Sequence, residues 1–241
     1  MKILIVGGVA GGATVAARVR RLDEKAEVIL FERGKYVSYA NCGLPYYIGG
    51  TIAQRPKLFV QTVKGFTDRF RIDIRVEQEV IAVDRARKQV EVRNLATGEV
   101  YIETYDKLVL SPGAEPLRPK IEGIDSRKIF TLRSVPDTDA IKQYIDSQRP
   151  DRAVVVGGGF IGLEMAENLH HLGLRVDVVE MANQVMAPLD FSMASMVHRH
   201  LTDKGVGLYL EDGVVRFEET AEGRVVVYLR SGRKITSDMV L

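Results

Sequence analysis

The apolar positions of this chain run through the same order twice. Residues 2–6 are an apolar run, 7–12 a glycine-rich turn, 13–22 a helix rich in alanine and arginine, and 27–31 a second apolar run ending at Glu32. Short continuous apolar runs read as strands covered on both faces. Strand, glycine turn, helix and strand in succession make a βαβ unit with parallel strands. Residues 34–70 mix helix and loop. From residue 76 apolar and polar positions alternate through EVIAVD, QVEVRN and EVYIETY, separated by turn residues such as Thr97-Gly98. That alternation predicts an antiparallel meander. An apolar run over 107–110 closes the round and leads into Ser111-Pro112-Gly113-Ala114.

Pro116, Pro119 and Gly123 mark a crossing between domains, followed by a capped helix over 136–147. Then the programme restarts: a strand over 153–156, a glycine turn over 157–162, a helix over 163–172, and a strand over 175–179 ending at Glu180. A helix over 192–204, short strands near 214–216 and 224–230, and an apolar run over 238–241 complete it. The fold class expected is α/β, two Rossmann-like domains in tandem over 1–115 and 116–241, each a parallel sheet with an antiparallel meander. The first copy's closing strand KLVL runs on into SPGA, whereas the second copy's DMVL ends the chain. A C-terminally truncated protein is therefore expected.

Composition narrows the picture only slightly. With 46% hydrophobic and 27% charged residues among 241, the chain reads as an ordinary globular protein. A net charge of +2 calls for no nucleic-acid partner, and no apolar run approaches a membrane span. The opening MKILIV meets Gly7 at once, so it reads as a buried strand and not as a signal peptide. The single cysteine cannot form an internal disulfide, which fits a reducing, cytoplasmic setting. His170, His171, His198 and His200 show no metal-ligand spacing, and no metal site is expected.

The glycine turns carry the first chemistry. In GGGFIG, Gly157 permits a tight turn, Gly159 lets a pyrophosphate approach the backbone, and Gly162 lets helix and strand pack closely. The helix N-terminus that follows supplies free N–H groups for the phosphates. Glu180 is placed to accept from a ribose 2′-hydroxyl and would repel a 2′-phosphate, which favours NADH over NADPH. The competing reading is a glycine-rich turn of some other α/β protein. The first turn, GGVAGG, has Val9 at the middle glycine position, and Glu32 again suits a ribose diol. Two dinucleotide folds in one chain point to a bound redox cofactor facing a diffusible one.

Cys42 lies in SYANCGLPYYIGG among small and polar residues. A lone cysteine is commonly an inert buried residue. A helix beginning here would instead favour the thiolate that a redox nucleophile needs.

These motifs, with YDKLVLSPGA, TLRSVPDTDAI and GGGFIGLEMAENL, resemble the flavin- and NAD-linked disulfide reductases that use a single cysteine. Within that family the likeness is to coenzyme A disulfide reductases and CoA-dependent NAD(P)H persulfide or polysulfide reductases, with NADH oxidases and peroxidases as cousins. The resemblance implies that FAD is held by Gly7, Gly8, Val9, Ala10, Gly11, Gly12, Glu32, Arg33, Val80, Ser111, Pro112 and Gly113. It places Gly157, Gly158, Gly159, Phe160, Ile161, Gly162, Glu164 and Glu180 around NAD(P)H. Phe160 is then an aromatic gate over the flavin (core packing being the alternative), and Glu164 an acid on the nicotinamide side.

It further implies that Thr14, Arg18, Arg21, Ser38 and Asn41 contact coenzyme A, although Arg18 and Arg21 also read as a solvated basic face. Electrons would pass from NAD(P)H through FAD to Cys42, whose thiolate attacks a CoA disulfide, persulfide or polysulfide. The alternatives are an oxidase or peroxidase working through a Cys42 sulfenic acid, and a nucleotide-binding fragment without turnover. A later FAD segment and a dimerisation domain are expected beyond Leu241, with a homodimer in the full-length protein.

Overall fold

The computed structural model describes residues 1–241. In chain order the elements begin with β1 (Lys2–Val6), α1 (Gly11–Leu22), β2 (Glu27–Glu32), α2 (Leu44–Ile48) and α3 (Val63–Phe70). Then come β3 (Asp73–Val76), β4 (Gln78–Asp84), β5 (Gln89–Asn94), β6 (Val100–Thr104), β7 (Lys107–Leu110) and α4 (Val135–Gln148). The second round is β8 (Arg152–Val156), α5 (Phe160–His171), β9 (Arg175–Val179), α6 (Phe191–Asp203) and β10 (Gly207–Tyr209). It ends with β11 (Val214–Glu219), β12 (Val225–Leu229), β13 (Lys234–Ser237) and β14 (Met239–Val240). No helix is long and apolar enough to cross a membrane.

The chain divides into two compact units, one of residues 1–41 and 55–114, the other of residues 42–54 and 115–241. In the first, a parallel sheet runs β3-β2-β1-β7, beside an antiparallel sheet β4-β5-β6. Alternate residues of β1 and β2 feed different cores. Ile3, Ile5, Val28 and Leu30 pack with Ala13 and Ala16 of α1, Phe66 of α3 and Ile72. Leu4, Ile29 and Phe31 face the other way, onto Val90 and Val92 of the meander. Two covered faces explain why these strands read as unbroken apolar runs.

The second unit repeats the plan, with a parallel sheet β10-β9-β8-β14 and an antiparallel sheet β11-β12-β13. Val154, Val179 and Val240 meet Phe217, Val225, Val227, Leu229 and Ile235 of the meander. Each such side chain, fully removed from water, contributes roughly 1.5–3 kcal/mol. The short helix α2 joins this unit and packs on α4 and α5. A capping box starts α4: the Ser134 backbone N–H donates to the Asp137 carboxylate at 2.8 Å.

The tandem α/β plan holds as expected. Three strands went unread: β3, β10 and β13. The first alternates charge with apolar residues at a sheet edge, the second is Gly-Leu-Tyr, and the third is four residues long. None carries enough apolar periodicity to stand out locally. Both nucleotide helices start earlier than the sequence suggests, at Gly11 and Phe160, because the end of each glycine turn already has helical geometry.

Candidate active site

The first glycine turn joins β1 to α1. Gly7 has φ +93°, and a β-carbon there would lie 2.0 Å from the Ser111 carbonyl oxygen, so a side chain is excluded on both grounds. A β-carbon on Gly12 would lie 1.7 Å from the Gly7 carbonyl oxygen, which is how the helix seats directly on the turn. The Glu32 carboxylate accepts from the Gly8 N–H at 2.7 Å and from the Gly34 N–H at 2.8 Å. Ser111 presents its hydroxyl toward Gly11, while Pro112 and Gly113 are exposed beyond it. Val9 is half-buried, and Ala10 and Arg33 are exposed. Val80 packs on the Leu4–Phe31 cluster, so its side chain is taken up by the core between sheet and meander.

Thr14, Arg18 and Arg21 are exposed and share one face of α1, their spacing of four and three residues keeping them in register. Arg20 points elsewhere, donating to the carbonyl oxygens of Phe70, Asp23, Glu24 and Arg71. It is a structural clamp, while the Arg21 guanidinium lies 5.8 Å over the Phe70 ring. The Ser38 N–H donates to the Gly8 carbonyl at 2.9 Å, holding Ser38 at the turn with φ +49°. Asn41 Oδ1 is buried with no hydrogen-bond partner, a polar atom waiting for a donor.

The second turn joins β8 to α5 and is more open. Gly157 has φ +113°, and neither it nor Gly159 would meet any atom with a β-carbon, so both backbones face free space that a pyrophosphate could enter. Gly162 is held as Gly12 is, its β-carbon position 2.0 Å from the Gly157 carbonyl oxygen. The Glu180 carboxylate accepts from the Gly158 N–H at 2.7 Å and the Ala182 N–H at 2.8 Å. Glu32 and Glu180 thus brace their own turns, and each keeps lone pairs for a ribose diol. Phe160 is 60% exposed, which removes core packing as its role, and Ile161 beside it is exposed too. The second turn therefore has open backbone that suits a pyrophosphate, whereas the glycines of the first are needed for close packing, and both turns end on an acidic residue that suits a ribose.

Cys42 belongs to this second unit. It is exposed, in the 3-10 turn Asn41–Gly43 that runs into α2, so it is not an inert core residue. The residues after it, Gly43, Leu44, Pro45 and Ile48, are buried and anchor α2. At the far end of α2, Gly49 lies against Asn168 of α5, whose carboxamide donates to the Glu164 carbonyl at 2.8 Å. On the other side the Lys142 ammonium sits 5.6 Å over the Tyr47 ring.

Tyr46 lies one turn on from Cys42. The charge of Glu164, then burial, then Glu167 and Cys42, push its phenol up and keep it protonated. Burial pushes the Glu164 carboxyl up as well, with Glu167 adding to the effect. Sequence reasoning named Cys42 and Glu164 but not Tyr46, Gly49 or Asn168. The spacing of four between Cys42 and Tyr46 was the available signal for the first.

Each unit thus carries a glycine turn between a parallel strand and a helix, closed by an acidic strand end, and the second unit also carries the exposed Cys42. The whole chain, residues 1–241, matches the pyridine nucleotide-disulphide oxidoreductase family and belongs to it. That family uses FAD and NAD(P)H. It is 37% identical over 240 residues to a coenzyme A disulfide reductase of Staphylococcus aureus, covering all of this chain and 53% of that protein. Among solved structures it is similar to the reduced Bacillus anthracis CoADR-RHD, at 55% identity and a TM-score of 0.94, covering 99% of this chain and 42% of that one. A NAD-dependent persulfide reductase from A. fulgidus matches at 36% identity and a TM-score of 0.92, covering 100% of this chain and 44% of that one. The chain spans about half the length of the curated relatives it matches.

Proposed function

We propose that this chain is the nucleotide-binding part of a reductase that acts on CoA-linked sulfur, with Cys42 as its redox nucleophile. The observation that carries the reading is an exposed cysteine anchored, through α2, on the helix that opens at the second glycine turn. FAD and NAD(P)H, when bound, supply two electrons and a hydride route. The residues Gly7, Gly12, Glu32 and Ser111 would hold the flavin nucleotide, and Gly157, Gly159, Gly162 and Glu180 the pyridine nucleotide. The carboxylate at Glu180 favours NADH.

The chain's own chemistry is nucleophilic. The Cys42 thiolate attacks one sulfur of CoA disulfide, forming a mixed disulfide and expelling one CoA thiolate. Two electrons and a proton then release the second thiol and restore Cys42. Tyr46, kept protonated, is a fixed hydrogen-bond donor one helical turn from that sulfur. Arg18 and Arg21 suit the phosphates of CoA through guanidinium forks, and Thr14, Ser38 and Asn41 supply polar contacts, the unpartnered Asn41 oxygen accepting from an amide. The relatives named for CoA disulfide and persulfide reduction support this choice of substrate.

The test follows NADH oxidation by the FAD-loaded protein with CoA disulfide, CoA persulfide, polysulfide, peroxide and oxygen as acceptors. We expect a CoA-linked acceptor to be preferred and Cys42→Ser to lower its turnover at least a hundredfold. Undiminished turnover in the variant overturns the role of Cys42. Preference for oxygen or peroxide, with loss in Cys42→Ser, favours the sulfenic acid reading.

A further inference from the structure

The second glycine turn does not stand alone. The segment over 181–190, between β9 and α6, is folded beneath it. Val185 is fully buried, and a β-carbon on Gly158 would lie 2.7 Å from its Cγ1. The next residue, Met186, donates its N–H to the Gly158 carbonyl at 2.8 Å. Met186 has φ +54°, a left-handed conformation that an unbranched but bulky side chain seldom adopts, so its neighbours must hold it there. One of those restraints is a side chain: the Val185 N–H donates to Nε2 of His198 on α6, at 3.1 Å.

That bond sets the protonation state of the ring. A backbone N–H always donates, so Nε2 must be the unprotonated nitrogen and the imidazole neutral. A second proton would set N–H against N–H and leave the Val185 donor without an acceptor. Nothing nearby compensates for a charge. The ring's other contact is Phe191, edge-on at 6.1 Å. The segment over 181–190 carries one charged residue, Asp190, the N-cap of α6, and β10 contributes only the phenol of Tyr209. On α6 itself Arg199 pairs with Asp203, and His200 is exposed. No carboxylate bonds to His198.

We propose that His198 is a positioning residue for pyridine-nucleotide binding: the acceptor nitrogen of its ring pins the segment over 181–190 under the glycine turn. The inference rests on reading Gly157–Gly162 as the pyridine-nucleotide turn.

The experiment titrates NAD⁺ into the protein by calorimetry, for wild type, His198→Gln and His198→Phe. Hydrogen-exchange protection of the Val185 amide is measured in parallel. Phenylalanine keeps a ring but offers no acceptor, so we expect it to lose about tenfold in affinity, the worth of one buried hydrogen bond, together with protection at Val185. Glutamine offers a carbonyl acceptor and should recover at least threefold of that loss with part of the protection. Wild-type affinity and protection in His198→Phe overturns the proposal. If Val185 protection follows the acceptor at residue 198 but NAD⁺ binds to none of the three proteins, the reading of the turn fails while the pinning of the segment stands.

Discussion

The carboxamide of Asn168 lies where a β-carbon on Gly49 would have to be, 2.1 Å from its oxygen. Gly49 has φ −71°, which any residue adopts, so glycine is needed there for space alone. Asn168 is 3% exposed and cannot swing into solvent. The contact sets how closely α2, which follows the turn bearing Cys42, approaches α5.

Gly49→Ala should therefore lower stability by about 1–3 kcal/mol, the usual penalty for overpacking. It should also change the alkylation rate of Cys42, in the turn at the other end of α2. Thermal unfolding and iodoacetamide labelling measure the two effects. Adding Asn168→Gly, which empties the space, should return the labelling rate toward the wild-type value.

Glu164→Gln should stabilise the protein at neutral pH. Burial and Glu167 raise the carboxyl's affinity for a proton in the folded state. The folded chain thus prefers the neutral form, and wild type loses stability as pH rises from the unfolded carboxylate value through the higher folded one. The amide does not titrate, so the two proteins should converge in acid and separate toward pH 8. Urea unfolding across that range tests the sign.

Arg152 and Asp177 form an ion pair at 2.7 Å between β8 and β9, with the carboxylate only 8% exposed. Arg152→Ala leaves that charge unpaired and should cost about 3 kcal/mol. Replacing both residues with apolar ones should cost less than the single change. Chemical denaturation of the three proteins decides.

Glu180→Ala removes the acceptor for the Gly158 and Ala182 N–H groups together with the proposed ribose contact. NAD⁺ affinity should fall by about tenfold or more, the scale of a hydrogen bond to a charged group. If calorimetry finds the affinity unchanged, the nucleotide is not held at this turn.

Acid should weaken the first unit through Glu103. Burial works against its charge, but hydrogen bonds from Lys2 and Arg75 outweigh that and hold the carboxyl below its ordinary value of 4.5. The stabilisation is present above that value and is lost as pH falls through the lower folded one. Glu103→Gln should flatten this part of the acid limb in a pH-dependent unfolding series.

Much of this was legible in the chain because it is local. The glycine turns, the acidic ends of β2 and β9, and the period-two meanders are written in neighbouring residues, and each has a short-range physical cause. The strands that escaped reading, β3, β10 and β13, are short or charged, and their pairing partners supply what their own residues do not. Phe160 read as a gate, with core packing as the alternative, and only its exposure in the fold removed the alternative. Arg18, Arg20 and Arg21 form one basic run in sequence, and only the carbonyl groups near Phe70 single out Arg20 as a clamp.

By itself the sequence determined the two-round plan of most elements, the two glycine turns and the presence of one cysteine, since each depends on residues within a turn or a strand of one another. The tertiary structure decided what those parts stand on. It exposed Cys42, set its helix on α5 across Gly49 and Asn168, and folded a segment held by His198 beneath Gly158. These contacts join residues that are far apart in the chain, and their energies come from shape and buried hydrogen bonds that no local pattern records.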